Sequence, residues 1–264
     1  MKLGLGQKVV VVTGASSGIG LEAALSFLEE GSRVVGASRH VDTLKQLDYG
    51  DCVHPVAVDL SQPQGPEQLI AETVAAFGTI DVLVNNMAIA PYREGGFLQM
   101  KDQDWEEIFQ VNLMSMIRAS RAALPHMVKQ KSGSIINIAS ESARQPNEGF
   151  LDYSAFKTAM LSVSKGLANE FGPLGVRVNV VSPGPIRTSL WDRPDGYTDK
   201  LAQYFGMEKE QAIEHYAKEV RKLPLGRIGT PQEVAAVVVF LASEAASFVT
   251  GAEYAVNGGS LRTI

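Results

Sequence analysis

The sequence predicts an α/β fold, in which a doubly wound parallel sheet carries helices on both faces. Two observations predict it: short runs rich in Val and Ile alternate with amphipathic segments, and the first six runs are apolar on both faces. Such strands are typical of the centre of a parallel sheet covered on both sides. Regular β–α alternation implies right-handed crossovers. The 264 residues show no repeat and no low-complexity linker, so we expect a single domain over residues 1–264.

Seven runs are predicted as strands, and helical patterns lie between them. The strands are KVVVVT (8–13), RVVGAS (33–38), VHPVAV (53–58), DVLVNN (81–86), SIINIAS (134–140), VRVNVVS (176–182) and EYAV (253–256). The first six are expected in the centre of the sheet. The helical patterns cover residues 19–30, 66–77, 104–130, 153–171 and 231–242.

One stretch interrupts the alternation. Residues 183–227 are polar, carry Trp191 and several tyrosines, and contain predicted helices between residues 200 and 222. The stretch follows the sixth strand, and insertions at the carboxyl end of a strand in such sheets tend to cover the ligand crevice. We therefore predict that residues 183–227 form a lid over the substrate. The alternative is an excursion on the surface.

Charge and composition argue against several classes of protein. The net charge of −5 offers no attraction for nucleic acid or an anionic membrane. The apolar runs are too short for a transmembrane helix, and the first one leads into a glycine turn instead of a signal-peptide cleavage site. The single cysteine, Cys52, leaves no internal disulfide, so a cytoplasmic location is expected. The four histidines lack metal-ligand spacing, and no metal site is expected.

A glycine-rich turn joins the first strand to the first helix. In TGASSGIG, Gly14, Gly18 and Gly20 stand where the backbone has to turn sharply and approach a ligand closely. Free N–H groups at the start of the helix, together with its dipole, favour a phosphate. The position in the first βαβ unit favours a dinucleotide site over an ordinary glycine-rich turn, although the spacing differs from Gly-x-Gly-x-x-Gly.

The segment YSAFK places Tyr153 and Lys157 four residues apart, on one face of a predicted helix. A tyrosine has an ordinary pKa of about 10, which is too high for efficient proton exchange near neutrality, and a cation close by lowers it. We therefore expect Lys157 to lower the pKa of Tyr153. Ser140 ends the fifth strand and Asn112 lies in a helical pattern, and each alone could be a structural residue.

Six segments in order resemble the short-chain dehydrogenase/reductase family. They are TGASSGIG, the Asn85-Asn86 pair, Asn112, Ser140, YSAFK and PGPIRT, and the resemblance covers residues 8–259. It implies a single Rossmann-type domain with a seven-stranded sheet, a nicotinamide cofactor that carries the hydride, and a homotetramer built through the two longest helical patterns.

The resemblance also implies roles for individual residues. Tyr153 would be the acid/base, and Lys157 would lower its pKa and bond the nicotinamide ribose. Ser140 would hold the substrate oxygen. Asn112 would anchor a water that relays protons to Lys157.

The end of the second strand predicts the cofactor. A carboxylate there accepts hydrogen bonds from the ribose diol of NAD, but this chain has Ser38 followed by Arg39. A guanidinium suits a 2′-phosphate, so NADP(H) is predicted, with NAD(H) as the alternative. The resemblance adds cofactor contacts at Ser16, Ser17, Ile19, Asp59 (adenine amino group), Leu60 (adenine pocket), Asn86, Ala88, Pro183, Gly184, Ile186 and Thr188.

One motif departs from the family. After the fourth strand the family usually has Asn-Asn-Ala-Gly, whereas this chain has Met87-Ala88 in the last two places. Ala88 is compatible with close approach of a cofactor if its φ is negative. The flexible Met87 is expected to fill a gap in the core.

Taken together, these residues predict an NADPH-dependent reductase that converts a ketone to a secondary alcohol. Its partner would be a small carbonyl or alcohol substrate, with Glu141, Gln145, Asn147, Trp191 and Tyr197 either choosing that substrate or lying on the solvated surface. An NAD-dependent dehydrogenase of a sugar or steroid alcohol is the alternative enzyme. A dinucleotide-sensing protein without catalysis is the third reading, and the intact Tyr153 and Lys157 argue against it.

Overall fold

In the computed structural model, which describes residues 2–262, seven strands form one parallel sheet in the order β3-β2-β1-β4-β5-β6-β7. The order confirms the predicted doubly wound, Rossmann-type fold. The strands are β1 (Val9–Thr13), β2 (Arg33–Ser38), β3 (Val53–Ala57), β4 (Val82–Asn85), β5 (Gly133–Ile138), β6 (Val176–Pro183) and β7 (Glu253–Val256). The strand order reverses between β1 and β4. The segments that follow these two strands run in opposite directions, which leaves a crevice between them.

The helices cover both faces of the sheet. They are α1 (Gly18–Glu29), α2 (Asp42–Lys45), α3 (Gly65–Phe77), α4 (Asp102–Ile108), α5 (Ser115–Gln130), α6 (Leu151–Phe171), α7 (Ser189–Asp192), α8 (Tyr197–Phe205), α9 (Lys209–His215) and α10 (Pro231–Ala242). The predicted helix 104–130 is divided, because a π-helical turn over Phe109–Met114 separates α4 from α5. Such widened turns occur frequently at functional sites.

Alternate residues of β1 show why a continuous apolar run is needed in this fold. Val10 and Val12 pack in the core layer that holds α1 and α10. Val11 points to the opposite face and packs in the layer that holds α3 and α5. All three valines are fully buried, which is the arrangement expected of a strand covered on both sides.

The third strand corrects one expectation. Its apolar run predicts a central position, yet β3 lies at the edge of the sheet and pairs only with β2 among residues 2–262. Four of its five residues keep some exposed surface. The sequence carries a signal for this position in Pro55, because a proline cannot donate to the hydrogen-bond ladder and is confined largely to edge strands.

Residues 183–227 form a small layer of their own at the carboxyl end of β6. Helices α7, α8 and α9 and a π-helical turn over Tyr216–Val220 surround an apolar cluster that consists of Trp191, Ile213, Ala217, Leu223 and Ile228. Gly206, with a φ of 64°, ends α8 and separates it from α9. We call this layer the lid. Within residues 2–262, no helix is both long enough and apolar enough to cross a bilayer.

Candidate active site

The glycine turn is built from backbone conformations that glycine adopts readily. Gly14 and Gly18 have φ values of 66° and 56°, in the left-handed region. Gly20 has a different reason to be glycine. A Cβ atom there would overlap the carbonyl oxygen of Gly14 and the side-chain nitrogen of Asn86. The start of α1 is thereby packed tightly against the turn.

Thr13 and Asn86 lock the ends of β1 and β4 together behind this turn. The Asn86 side chain donates from Nδ2 to the carbonyl oxygens of Thr13 and Gly14, at 2.9 and 3.2 Å. In return, the backbone N–H groups of Asn86 and Met87 donate to Thr13 Oγ1. Asn86, predicted to contact the cofactor, therefore positions the glycine turn. Met87 packs against the core and Ala88 avoids a positive φ, as expected.

The first turn of α1 is open to an anion. Ser17 is its N-cap residue but makes no side-chain capping bond, and no acidic residue lies in the first turn. Ile19, next in the turn, packs its side chain against the core. The backbone N–H groups and the helix dipole can therefore serve a pyrophosphate. Thr188, the residue before α7, lies against this turn, with its side chain 3.3 Å from the position of a Cβ on Gly18.

The residues predicted to choose the cofactor sit beside that turn. Ser38 ends β2 and its hydroxyl lies 2.9 Å from that of Ser16. Arg39 is exposed and makes no hydrogen bond or ion pair with any of residues 2–262, so its guanidinium is available for a 2′-phosphate. Position 38 holds a serine instead of the carboxylate that would bind the ribose diol of NAD.

The adenine side agrees with the expectation at one residue and corrects it at another. Asp59 accepts hydrogen bonds from the N–H and hydroxyl of Ser61 at Oδ1, which lower the pKa of its carboxyl. The side chain of Gln62 also interacts with this carboxyl, which can accept a further hydrogen bond from an amino group. Leu60 was expected to line the adenine pocket, but its side chain is fully buried in the core and presents no surface to the crevice.

Three predicted catalytic residues meet at the carboxyl end of β5. Lys157 lies one helical turn after Tyr153 in α6, with its Nζ 5.6 Å from the centre of the Tyr153 ring. Lys157 is almost completely buried, and its Nζ donates a 2.6 Å hydrogen bond to the carbonyl oxygen of Ile138. Ser140 follows two residues after Ile138, is buried, and lies close enough to Tyr153 to interact with its hydroxyl.

The acidities of this pair correct the expectation from the sequence. Burial raises the pKa of Tyr153 to about 12, and the hydroxyl of Ser140 opposes that rise. Burial lowers the pKa of Lys157 to about 7. Desolvation disfavours both charged forms and outweighs the attraction that was expected to lower the pKa of Tyr153. At neutral pH, Tyr153 therefore holds its proton, and Lys157 exchanges its own readily.

Asn112 lies in the π-helical turn and is fully buried. Its side chain accepts from the N–H of Ile89 and donates to the carbonyl oxygen of the same residue, both at 2.9 Å. These two bonds commit the side chain to the loop after β4, and the predicted water would have to be held by the backbone of Asn112 in the π-helical turn. Asn112 therefore holds that loop in place beside the site.

The exit from β6 closes the opposite wall. Pro183 ends the strand, and Gly184 follows it so closely packed that a Cβ would lie 2.8 Å from Asn257 and 2.9 Å from the carboxylate of Glu141. Ile186 is buried and forms a bridge with Gly229, which ties the start of the lid to the segment that follows it. This wall faces α1 across the crevice through Thr188.

The residues expected to select the substrate lie in different environments. Glu141 is buried beside Ser140, and Gln145 is exposed on the surface. Asn147 donates to the hydroxyl of Ser142. Trp191 was expected over the crevice but is buried in the lid core, between Tyr197 and Tyr216. An indole surrounded by apolar side chains stabilises the lid and does not present a surface to a ligand.

A groove of about 400 Å³ leads along the inner side of the lid. It is lined by the loop after β4 and by the segment from α7 to α8, through Ala90, Pro91, Tyr92, Leu190, Arg193, Asp195, Gly196, Tyr197, Lys200, Leu201 and Tyr204. Tyr197 links the groove to the site, because it lies close enough to Tyr153 for its ionised form to raise the pKa of Tyr153. The groove is mostly apolar with a few charged groups, which is typical of a small-molecule site.

Arg93 and Asp152 lie beside the site and were not predicted from the sequence. Asp152 directly precedes Tyr153, is fully buried, and forms an ion pair of 2.8 Å with Arg93 from the loop after β4. Arg93 also bonds Asp104 of α4 at 2.9 Å. The only available signal was the position of Asp152 next to Tyr153, since its partner is remote in the sequence.

A cavity of about 390 Å³ also opens at the amino-terminal ends of β4, β5 and β6. It contains none of the predicted site residues, and ligands of such sheets bind at the carboxyl ends of the strands. Among residues 2–262, no group of three or more His, Cys, Asp or Glu side chains could hold a metal ion.

Comparisons with known proteins agree with this geometry. Residues 14–260 match the family described as enoyl-(acyl carrier protein) reductase. The chain is 39% identical to an uncharacterised oxidoreductase of Bacillus subtilis, YvrD, over the full length of both chains. It is 34% identical to the 3-oxoacyl-(acyl-carrier-protein) reductase FabG of Thermotoga maritima, covering 96% of this chain and 97% of the relative. The crystal structure of L-sorbose reductase from Gluconobacter frateurii, complexed with NADPH and L-sorbose, matches with a TM-score of 0.93 and 33% identity over all of both chains.

Proposed function

The chain belongs to the short-chain dehydrogenase/reductase family, and from that premise we propose that it is an NADPH-dependent reductase that converts a ketone to a secondary alcohol. It is an NAD(P)-dependent oxidoreductase acting on CH–OH groups, like the relatives above. The observation that carries the finer proposal is the meeting of Ser140, Tyr153 and Lys157 at the carboxyl end of β5, across from an open helix N-terminus. That arrangement supports a crevice in which acid/base groups and a bound dinucleotide would meet.

The residues present fit a nicotinamide dinucleotide. The uncapped start of α1 and the turn at Gly14 and Gly18 would hold its pyrophosphate. Asp59 would accept from the adenine amino group. Pro183, Gly184, Ile186 and Thr188 would enclose the nicotinamide end. When bound, the cofactor supplies the hydride.

The side chains of the chain itself supply the proton. Ser140 donates a hydrogen bond to the carbonyl oxygen of the ketone and orients it. Tyr153, whose pKa of about 12 keeps its proton on at neutral pH, donates that proton to the same oxygen as the carbonyl carbon is reduced. Lys157, with a pKa near 7, then returns a proton to the phenolate of Tyr153. In alcohol oxidation the same transfers run backwards.

NADPH preference is supported by two features of the second strand. Arg39 is exposed and unpaired among residues 2–262, and Ser38 offers no carboxylate to repel a phosphate. L-sorbose reductase, to which the chain is 33% identical, was crystallised with NADPH. We expect Arg39→Ala to lower kcat/KM for NADPH by about 30-fold, the effect of a lost charge-assisted bond. The value for NADH should stay within about threefold; equal losses with both cofactors would contradict the assignment.

The central experiment is a ketone panel assayed by the absorbance of reduced nicotinamide. It includes L-sorbose and a 3-oxoacyl thioester, the substrates named by the two relatives. With the best substrate, Tyr153→Phe should lower kcat by about 10³-fold, within the range for general acid catalysis, while NADPH binding stays within about twofold. Undiminished activity of Tyr153→Phe would remove Tyr153 from the mechanism.

A homotetramer is the proposed assembly. A groove between the outer faces of α5 and α6 is lined largely by apolar side chains, including Ile117, Leu124, Val163, Leu167 and the exposed Leu174. Apolar surface of this kind is typical of subunit contacts. Light scattering after size-exclusion chromatography should give four times the mass of one chain, and Leu167→Glu should reduce it. A monomeric mass for the unaltered protein would contradict the proposal.

A further inference from the structure

Glu141 joins three parts of the molecule that are far apart in the sequence. It directly follows Ser140 and is only 4% exposed. Its carboxylate accepts a hydrogen bond from the guanidinium of Arg221, at the end of the lid, and another from the hydroxyl of Ser260, after β7. The turn that carries Ser140, the lid and the C-terminal segment therefore meet at one buried carboxylate.

This ion pair differs from the others in the lid by its burial. The side chains of Glu141 and Arg221 are 6% and 23% exposed, whereas those of Arg227 and Glu233, at the base of the lid, are 54% and 40% exposed. Arg221 also donates to the hydroxyl of Tyr216 at 3.2 Å. A buried charge that loses its partner costs several kcal/mol, whereas an exposed pair contributes little. The Glu141–Arg221 pair is thus the contact whose loss the lid tolerates least.

The pair is connected to Ser140 by a short chain of bonds. Ser140 caps the 3-10 turn Glu141–Ala143, and its Oγ accepts from the N–H of Ser142 at 3.1 Å. Thr158 of α6 donates to the carbonyl oxygen of Ala143 at 2.8 Å, which ties the turn to the helix that carries Tyr153. A displacement of the Glu141 side chain would therefore move this turn, and the turn determines the direction of the Ser140 hydroxyl.

We propose that Glu141 and Arg221 are positioning residues, whose ion pair fixes the Ser140 turn opposite Tyr153 and couples that geometry to the closed lid. The inference rests on the proposed reductase function, in which Ser140 orients the substrate oxygen. Opening of the lid withdraws Arg221, leaves the carboxylate of Glu141 unpaired and releases the Ser140 turn. The catalytic geometry is then complete only when the lid covers the substrate.

The test compares four variants on the best ketone of the panel. Arg221→Met leaves a buried carboxylate without its cation, and kcat should fall by about 100-fold, the loss that a displaced catalytic group gives. Glu141→Gln/Arg221→Met removes both charges and should recover about tenfold of that loss, because no unpaired charge remains. Arg221→Lys should lie between Arg221→Met and the unaltered protein. Arg227→Met, the matched control in an exposed pair, should keep full activity.

Cofactor affinity separates positioning from general damage. The pair makes no hydrogen bond with the glycine turn and touches the proposed cofactor site only where Glu141 packs against Gly184, so NADPH titrations of all four variants should give dissociation constants within about fivefold of the unaltered protein. A double variant as slow as Arg221→Met, or slower, would overturn the proposal. So would an Arg221→Met variant that keeps its kcat. If Arg221→Met does not fold, Arg221→Lys and Ser260→Ala carry the test, with expected losses of about tenfold and threefold from weakened or missing bonds to the carboxylate.

Hydrogen exchange distinguishes failure of this inference from failure of the proposed function. Arg221→Met should raise amide exchange in residues 140–145, 216–222 and 258–262 together, because all three segments share the carboxylate. That result in a protein that reduces no ketone with either cofactor would reject the reductase proposal and retain the structural pair. Exchange that rises only in residues 216–222, in an active enzyme, would reject the coupling and retain the reductase.

Discussion

The cofactor side and the lid side of the crevice hold their residues by different means. On the cofactor side, Thr13, Gly14 and Asn86 are joined by hydrogen bonds to backbone atoms at the ends of adjacent strands. On the lid side, Glu141 and Arg221 meet through side chains that are 80 residues apart. Backbone requirements leave a local trace in the sequence as glycines and asparagines. Pairings between distant side chains leave none.

The largest effect should come from breaking the lid core. Trp191→Ala removes an indole that packs between Tyr197 and Tyr216 and should destabilise the lid by about 4 kcal/mol, as for other buried aromatics. Hydrogen exchange over residues 189–223 measures the loss. NADPH affinity should fall by no more than about fivefold, because the lid contacts the glycine turn through Thr188, before its first helix, and not through its core. Tyr204→Ala, in the same lid but 82% exposed, is the control and should leave lid exchange unchanged. A loss of cofactor affinity equal to the loss of lid stability would show that the two sides are one unit.

On the cofactor side of the crevice, the corresponding change is Gly20→Ala. The added methyl group would overlap the Gly14 carbonyl and the Asn86 amide, and such overpacking should cost about 3 kcal/mol. NADPH titration should show affinity lowered by at least about tenfold, because the start of α1 must shift. Exchange in the lid should not change. Gly166→Ala, where nothing lies within 4 Å of the new atom, is the matched control. Normal NADPH binding by Gly20→Ala would contradict the tight packing of the turn.

A smaller effect, with a defined pH dependence, is expected at Lys157. Burial lowers its pKa from 10.5 to about 7. Between these values the unfolded chain holds a proton that the folded chain has lost, so stability rises with pH from about 7 towards 10.5. Below pH 7 the folded protein carries a buried ammonium, and its destabilising effect is complete.

Lys157→Met should therefore raise the melting temperature most at low pH. We expect a gain of about 5 °C at pH 6, the shift that roughly 2 kcal/mol gives in a chain of this size. The gain should shrink at pH 9, while reductase activity is lost at both. Lys165→Met, on the exposed face of the same helix, should not reproduce the pH-dependent gain. A gain that is constant with pH would argue against a buried ammonium.

The smallest effect should come from the lid surface. Arg187 bonds Asp192 and Glu210 at 2.9 and 2.7 Å, but all three side chains are substantially exposed. Arg187→Met should cost under about 1 kcal/mol, and the difference should vanish in 1 M salt, because exposed pairs are screened. Thermal unfolding at low and high salt measures it. A loss comparable to that of Trp191→Ala would mean that the lid is held by its charges instead of its core.

These contrasts explain what the sequence predicts and what it does not. The strand runs, the glycine turn and the spacing of Tyr153 and Lys157 follow from local rules of backbone geometry and periodicity. The positions of Trp191 and Leu60 were predicted wrongly, because the sequence does not distinguish an apolar residue of the core from an apolar residue that lines a pocket. The direction of the pKa shift of Tyr153 was wrong because it depends on burial, which is a property of the whole fold.

Arg221 carries no motif, and Asn112 gave no indication of its side-chain partners for a related reason. Its position in the chain is shared with the family, but the two bonds to Ile89 exist only once the loop after β4 has folded back over α4 and α5. Residue type and spacing can identify which groups gather at a site. They do not determine which partner each group takes there.

The proline in the outermost strand has a consequence beyond topology. An uncovered strand at the border of a sheet is a template on which another chain can add, and this is a common route to aggregation. Pro55 lies at the middle of β3 and has no amide hydrogen that it could donate to an added strand. Lateral growth of the sheet is therefore obstructed on the β3 side, which leaves the four residues of β7 as the border where strand addition remains open.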